Sequence, residues 1–574
     1  MLAMVVAVTA IAACSSDDDG DGSSSSDVTL STTAISVDAD GGTKTLSVKA
    51  GSQPTVTSDQ SWCTVSLSSS TSSGVYTYSV AVSANTETDN RTATITVTVG
   101  SSYSATVTVT QSAADGLSLG ETSYTVDAAG GDIAIEVTSN GDYEYEIGVS
   151  WITEASTKAV SMMTTETLTF TVAQNVSSGT RTGTITFTLG DVSATATVTQ
   201  SGTEATTITA DAWDIASEMY PGWNLGNTME SNGSGLNAET YWQSTKTTQT
   251  IIDFVASCGF KSVRIPCNWY SHFDSGTTTI NSSWIARVKE VVDYCIIDGL
   301  YVVLNDHYDL GWLESSFSDI SDSNVAAKSD TLSAIWTQVA EYFVDYDEHL
   351  LFAGLNEPDA STSAKTAVLI EYEQVFVDAV RATGGNNALR TLVVQGPSTD
   401  IDNTYSLYTA MPTDSAQDRL MLEVHYYSPW QFCGLEEDAS WGVMQYYFSS
   451  DNHVSGSSRN VDSAYEEDYI NSQFAKMKTK FCDAGYPVIL GEYGCQWRDV
   501  SSDGDQDKHN ASVKAFHKAV NQYAVDNGLI PFVWDINYCS RPTMTVIMRS
   551  NCSVYCSYAM EGITEGIAAG TWPY

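Results

Sequence analysis

From Thr206 onward, short apolar runs without polar alternation recur between amphipathic stretches, and this pattern limits the possible folds more than any other feature of the chain. The runs include Ser262-Val263-Arg264-Ile265-Pro266, Tyr301-Val302-Val303-Leu304, Leu350-Leu351-Phe352-Ala353, Thr391-Leu392-Val393-Val394, Met421-Leu422-Glu423-Val424, Val488-Ile489-Leu490 and Ile530-Pro531-Phe532-Val533. A strand with no polar face is buried on both sides, as in a parallel sheet covered by helices. The intervening stretches, such as Ile285-Ala286-Arg287-Val288-Lys289-Glu290-Val291-Val292, have helical periodicity. Strand then helix, repeated over residues 206–574, predicts one (β/α)8 barrel with extended loops. A doubly wound open sheet shares the alternation but needs a Gly-rich phosphate turn after its first strand, and none is present.

The preceding region has another texture. Asp38-Ala39-Asp40-Gly41-Gly42 matches Asp127-Ala128-Ala129-Gly130-Gly131, Ser61-Trp62 matches Ser150-Trp151, and Val109-Thr110-Gln111-Ser112 matches Val198-Thr199-Gln200-Ser201. All share one offset, so residues 28–113 and 114–202 read as two copies of one module. Thr/Ser alternates with Val/Ile, as in Thr92-Ala93-Thr94-Ile95-Thr96-Val97, which predicts half-buried strands in an immunoglobulin-like β-sandwich. The shared motifs resemble BACON domains, often found ahead of polysaccharide-degrading enzymes. Trp62 and Trp151 are expected in the sandwich cores, with sugar-binding platforms as the alternative.

Residues 1–14 form an apolar stretch too short to span a bilayer and read as a signal peptide. Ile11-Ala12-Ala13-Cys14 resembles a bacterial lipobox, which implies lipid attachment at Cys14 and an outer-membrane lipoprotein exposed at the cell surface. The usual basic n-region is absent, which points to a start upstream. Residues 15–27 are an acidic, Ser/Asp-rich linker that resembles a surface-export tag. The whole chain has 25 Lys plus Arg against 70 Asp plus Glu, a net charge of −45, which disfavours nucleic acid and anionic lipid as partners. The lipid anchor is the only membrane contact expected. A neutral polysaccharide meets no such repulsion, and 14 Trp and 30 Tyr offer faces on which sugar rings stack.

Cysteines such as Cys258, Cys267, Cys295 and Cys482 fall in apolar patterns and read as buried thiols. No CxxC pair or His/Cys cluster marks a zinc site, and Lys514 stands where a calcium loop opened by Asp503-Gly504-Asp505 needs its closing Glu. No metal and no cofactor are expected.

The chemistry gathers at the strand ends. Glu357 lies in Leu355-Asn356-Glu357-Pro358 and Glu492 in Leu490-Gly491-Glu492-Tyr493-Gly494. In a closed parallel barrel these ends form the catalytic face, and a pair of carboxylates there is what glycosidic bond cleavage requires. Taken singly, each is equally readable as a strand-terminal acid paired with a cation. Arg264 is the only charge in its strand, and His307, Asn356, His425, Tyr427 and Trp534 lie at other strand ends. Alternation puts His425 and Tyr427 on one face and turns Tyr426 away.

Gly222-Trp223-Asn224-Leu225-Gly226-Asn227-Thr228, Gly259-Phe260-Lys261-Ser262-Val263-Arg264-Ile265-Pro266, Leu355-Asn356-Glu357-Pro358, His425-Tyr426-Tyr427 and Leu490-Gly491-Glu492-Tyr493-Gly494 resemble glycoside hydrolase family 5, and most of all its subfamily 4 endo-β-1,4-glucanases. The resemblance implies a retaining glucanase acting on cellulose-like, mixed-linkage or xyloglucan polymers. It implies that Glu357 is the acid/base and Glu492 the nucleophile, with Arg264, His307, Asn356, His425, Tyr427 and Trp534 around the cleaved sugar. His307-Tyr308 departs from the two consecutive histidines of many members.

Physically, Arg264 and Tyr427 are expected to hold the Glu492 carboxyl down, while Glu357 starts protonated. Asn356 suits the 2-hydroxyl and Trp534 the ring face; Trp312, Trp430 and Trp497 are candidates for neighbouring subsites or for plain loop packing. The rival readings are a β-mannanase or xylanase on the same scaffold and an inactive glycan-binding surface protein. The expected partner is a neutral β-glucan, bound by a monomer.

Overall fold

A computed structural model describes residues 28–101, 103–155, 164–204 and 207–574. The leader, Cys14 and the acidic linker lie outside the described residues.

The N-terminal region forms two β-sandwiches. In the first, one sheet orders Thr29–Leu30, Gly42–Lys49, Val75–Val82 and Cys63–Ser70, and the other orders Ala34–Val37, Tyr103–Gln111, Arg91–Val99 and Thr55–Ser58. The second has the same order: Leu117–Leu119, Gly131–Ser139, Thr164–Val172 and Ile152–Glu154 in one sheet, and Ser123–Val126, Val192–Gln200, Arg181–Leu189 and Glu144–Ile147 in the other. Period-2 alternation is visible in Arg91–Val99, where Ala93, Ile95, Val97 and Val99 are buried and the residues between them are not. The shared motifs have structural work. Gln111 is fully buried, and its amide donates to the carbonyls of Asp38, Ala39 and Ser83 at 2.9–3.2 Å. Its oxygen accepts from Arg91 Nε, and the Arg91 guanidinium lies 4.3 Å over the Trp62 ring. Trp62 therefore packs on the core with one face covered. Gly41, at φ +79°, closes the turn that Gln111 ties down, and a Cβ there would meet the Val82 carbonyl at 2.4 Å. Trp151 is half-buried, with its ring against Gly183.

The C-terminal region is a closed barrel of eight parallel strands: β1 Gly222–Asn224, β2 Ser262–Ile265, β3 Tyr301–Asn305, β4 Leu350–Ala353, β5 Leu392–Gln395, β6 Leu420–Tyr426, β7 Val488–Tyr493 and β8 Leu529–Val533. Each is followed by a helix, in order α1 Gln249–Ser257, α2 Ser282–Ile297, α3 Asp322–Tyr342, α4 Ser363–Ala382, α5 Ile401–Leu407, α6 Glu467–Lys480, α7 Gln506–Asp526 and α8 Ser557–Ala569. The unbroken apolar runs hide a period of two. Trp223, Val263, Leu304, Phe352, Val394, Leu422 and Leu490 pack outward in the core shared with the helices. Val303, Leu351, Val393, Met421, Ile489, Ile530 and Phe532 fill the barrel itself.

Helix α2 shows how the outer layer forms. The Asn281 side chain caps it by accepting from Ser283 and Trp284 N–H, and Trp284, Ile285, Val288, Val291, Val292 and Cys295 bury one helical stripe. Below the barrel, a short helix, Ala212–Ala216, is fixed by a reciprocal Asp211–Asp214 capping box and presses Ala212, Ile215 and Ala216 against the interior residues. Truncating Phe532 to alanine would cost about 3–5 kcal/mol, because the closed interior has no room to collapse. The ten cysteines among the described residues are free thiols, seven of them buried. Asp505, in the acidic loop, caps α7 by accepting from Lys508 N–H.

Candidate active site

Inward-facing positions turn polar at the C-terminal ends of the strands. Asn224 of β1, Arg264 of β2, Asn305 of β3, Gln395 of β5, and Glu423 and His425 of β6 are all buried. The packed apolar interior beneath them gives a low-dielectric floor, so each must find a partner.

Arg264 is the hub. Its Nη1 donates to Asn224 Oδ1 at 3.1 Å and to Glu492 Oε1 at 2.9 Å, and its Nη2 donates to Asn356 Oδ1 at 2.8 Å. Nε faces Glu423 Oε1 at 2.9 Å as an ion pair, out of hydrogen-bond alignment. Glu492 Oε2 accepts the Tyr427 hydroxyl at 3.0 Å. Along β7, Ile489 and Gly491 face inward, so simple alternation would turn Glu492 toward the helices. One extra residue relative to β8, between Leu490 and Tyr493, re-aims it into the barrel. Gly491 is required by close approach: a Cβ there would sit 1.9 Å from Glu423 Oε1.

His425 connects the carboxylates. Its Nδ1 lies 2.7 Å from Glu357 Oε1 and 3.8 Å from Glu492 Oε2, and its Nε2 lies 3.2 Å from Glu423 Oε1. Burial works against its charge, but Glu492, Glu357 and Glu423 outweigh it and raise the imidazole to about 10. His425 is therefore an imidazolium donating from both nitrogens. His307, stacked 6.0 Å from Trp534 and beside Asn305, is the opposite case: burial, then the charges of Arg264 and His425, hold it neutral.

The expected order of the two acids is reversed. Burial beside two other carboxylates pushes Glu492 above the usual range despite His425 and Arg264, while the His425 bond outweighs partial desolvation at the cleft wall and holds Glu357, whose side chain stays open to solvent, below it. The physical reason is that Nδ1–H is aimed at Glu357. Glu357, Glu423, His425 and Glu492 titrate as one set. One donor atom each from Glu357, His425 and Glu492 lies within 4.8 Å of the others. A cation bridging them through the nearest atoms would have to displace the imidazolium proton and compete with the Tyr427 hydroxyl for Glu492 Oε2.

Tyr427 stands edge-on to Trp430 at 6.3 Å, and Trp430 is 49% exposed. Trp312 and Trp497 are committed to packing. Trp312 is buried, bonded to Asp306 and stacked on Tyr270 at 5.2 Å; Trp497 bonds Asn510 and lies under Arg541 at 4.8 Å. Trp534 is half-buried at the end of β8. It is followed by Asp535, which accepts from Trp223 Nε1 and the Val546 and Ile547 amides and is paired with Arg549.

The residues missed in the sequence are Glu423, Gln395 and Asn224. Gln395 Nε2 donates to Glu423 Oε2 at 2.8 Å, and its Oε1 accepts the Leu355 amide. Glu423 had a signal: a lone acid inside an apolar run, two residues before His425 and so on the same face.

A family model described as cellulase (glycosyl hydrolase family 5) matches residues 226–540, and a BACON model, described as an N-terminal binding domain, matches residues 52–112 and 135–201. "Endoglucanase A" of Paenibacillus barcinonensis is 36% identical over 376 residues, 62% of this chain and 90% of that protein. A xyloglucan-specific β-1,4-glucanase of family 5 from a ruminal metagenomic library, solved with the oligosaccharide XXLG, is 50% identical over 64% of this chain and 98% of its own, at a TM-score of 0.60. A Bacteroides ovatus family 5 xyloglucanase, solved with the heptasaccharide XXXG, covers 79% of this chain and 100% of its own at 28% identity and a TM-score of 0.56. Barrel, paired carboxylates and matches agree: the chain is a glycoside hydrolase and belongs to glycosyl hydrolase family 5, with BACON domains ahead of its barrel.

Proposed function

We propose that this chain is a retaining endo-β-1,4-glucanase whose polymer is xyloglucan, with Glu492 as nucleophile and Glu357 as acid/base. The observation that carries the mechanism is the carboxylate spacing: oxygens of Glu357 and Glu492 lie within 4.8 Å of each other. That suits direct attack on the anomeric carbon; an inverting site holds its acids roughly 6.5–9.5 Å apart to admit a water. The 50% identity to a xyloglucan-specific glucanase over 98% of its length supports the choice of polymer.

Glu492, held at one oxygen by Arg264 and at the other by Tyr427, attacks the anomeric carbon as the glycosidic C–O bond breaks. The departing oxygen takes its proton from Glu357. That side chain is 45% exposed, so a bound sugar strips water from it and raises its proton affinity. That proton is the one His425 Nδ1 holds in the resting site: it crosses 2.7 Å to Glu357 Oε1 as the sugar binds and passes from Glu357 to the leaving oxygen, so a single proton moves and His425 is left neutral. Esterified Glu492 no longer carries charge, so Glu357 ionises more readily and takes a proton from the water that hydrolyses the ester. Asn356, anchored by Arg264, presents its remaining N–H to the 2-hydroxyl, and Trp534 lies under the ring.

Hydrolysis of xyloglucan, mixed-linkage glucan, carboxymethylcellulose, mannan and xylan tests the reading, with sizing and anomeric stereochemistry of the products. Xyloglucan is expected to be cleaved fastest, to oligosaccharides, with net retention. Faster cleavage of mannan or xylan would overturn the polymer, and net inversion the mechanism.

We further propose that the chain is exported as a lipoprotein. No helix among the described residues is long and apolar enough to cross a membrane, and a lipid on Cys14 would hold a monomeric enzyme at the outer cell surface. Cys14→Ser should release the protein from the membrane fraction with activity intact; a variant that still sediments with membranes contradicts it.

A further inference from the structure

Glu314 sits in the β3–α3 loop, outside the motifs that supply the acids of the site, and is buried. Its Oε1 accepts the backbone N–H of Glu357 at 2.6 Å, and the Asn356 side chain lies close enough to the same carboxylate to favour its anion. Asn356 Oδ1 is already taken by Arg264, so it is the Asn356 amide N–H that reaches Glu314. One carboxylate thus holds the main chain at the acid/base and borders the residue suited to the 2-hydroxyl.

We propose that Glu314 is a positioning residue for the acid/base: it fixes the Asn356–Glu357 pair from behind, and its negative charge favours passage of the His425 Nδ1 proton onto Glu357 when substrate is bound. This rests on the reading of Glu357 as acid/base. The groups facing Glu314 are Glu357 and Glu492 across the site and Asp306 at the end of β3, all acidic. Lys328 of α3 is engaged instead by the Trp312 carbonyl and ring. Burial first, then Glu357 and Glu492, push Glu314 up to about 7 against the two N–H donors that favour its anion. On the basic side of neutrality Glu314 is therefore charged, where the His425–Glu357 pair is most in danger of losing the proton it passes to the leaving oxygen.

Glu314→Gln keeps an oxygen for the Glu357 amide and removes the charge. The test measures kcat/KM from pH 5 to 9 on xyloglucan and on a dinitrophenyl cellobioside, whose leaving group departs without a proton. We expect a loss of about tenfold on xyloglucan with KM little changed, and less than about twofold on the aryl substrate. The basic limb of the xyloglucan profile should move about half a unit toward acid. Equal losses on both substrates, or an unmoved basic limb, would leave Glu314 with a structural role only and overturn the proposal. If the Gln variant does not fold, Glu314→Asp keeps the charge and shortens the reach; it should lower kcat on xyloglucan while preserving the basic limb, and equal losses on both substrates again count against it. Glu357→Gln is the control. If its kcat/KM falls as far on the aryl substrate as on xyloglucan, the acid/base reading itself is wrong; if it spares the aryl substrate and Glu314→Gln does not, only the positioning role fails.

Discussion

In each β-sandwich the buried polar side chain of the shared motif is a neutral amide, Gln111 or Gln200, whose donors end on three backbone carbonyls. In the barrel the equally buried groups are ions, Arg264 and Glu423, with His425 charged between them and the two glutamates. A neutral amide satisfied by main chain is indifferent to pH and has no proton to give, so it stabilises a turn and does nothing else. Buried ions require desolvation and hold one another in place, and that arrangement is what a displacement reaction can use. All seven histidines of the chain also lie in the barrel region, between His272 and His517, and none in residues 28–204.

The largest effect separating the two regions should come from Glu492→Gln. It is expected to lower kcat on any β-glucan by roughly 10^5-fold, because no group within reach replaces the nucleophile. Its pre-steady-state burst of aryl release should vanish, while Glu357→Gln should keep a burst. A burst in the Glu492 variant and none in the Glu357 variant would exchange the two roles.

Acid comes next. His272, His509 and His517 are buried and neutral, each lowered to about 4 mainly by burial. Between pH 6.5 and 4 the unfolded chain binds protons at these positions and the folded barrel does not, so stability falls with pH, on the order of 2 kcal/mol for each histidine. His425 runs the other way. With its imidazole raised to about 10, its contribution is fully present below pH 6.5 and is lost only as pH climbs toward 10. Calorimetry between pH 7 and 4 should show the barrel transition dropping while the sandwich transition moves much less; parallel shifts would refute the contrast.

Glu423→Gln should rank third. Arg264 and His425 then lose a countercharge at full burial, which should cost the barrel about 3 kcal/mol and leave the sandwich transition in place. The smallest effect belongs to Gln111→Ala, which takes one of two donors from each of three buried-turn carbonyls and leaves Arg91 Nε without its acceptor. It should lower the first sandwich by about 2 kcal/mol and leave kcat/KM within about twofold. Activity that followed the sandwich down would erase the division of labour.

The barrel could be read in the sequence because strands buried on both faces leave nothing polar in the run, and Arg264, Asn356, Glu357, His425, Tyr427 and Glu492 could be read because strand ends are where polarity returns. What stayed hidden depends on three-dimensional detail. Alternation alone turns Glu492 outward, and only the bulge after Leu490 explains why it meets Arg264 and Tyr427. Glu314 lies in a loop with no periodicity to mark it. The direction of the Glu357 and Glu492 shifts depends on which carboxylate His425 Nδ1 faces, and spacing along the chain carries no information about that. The Trp candidates divided on the same ground: Trp312 and Trp497 face inward to polar partners, whereas Trp430 keeps an open face.

Gly491 leads beyond the chemistry, to the paths open to mutation. With Glu423 Oε1 lying 1.9 Å from where its Cβ would stand, the glycine before the nucleophile and the acid on the neighbouring strand share one volume. Any single change that adds a side chain at 491 displaces the Glu423 carboxylate and loosens Arg264 and His425 with it, so such a variant is expected to lose activity. Change at 423 alone forfeits the countercharge. The two positions are therefore expected to change only together, which makes the Gly491–Glu423 slot a constraint on drift set by shared volume.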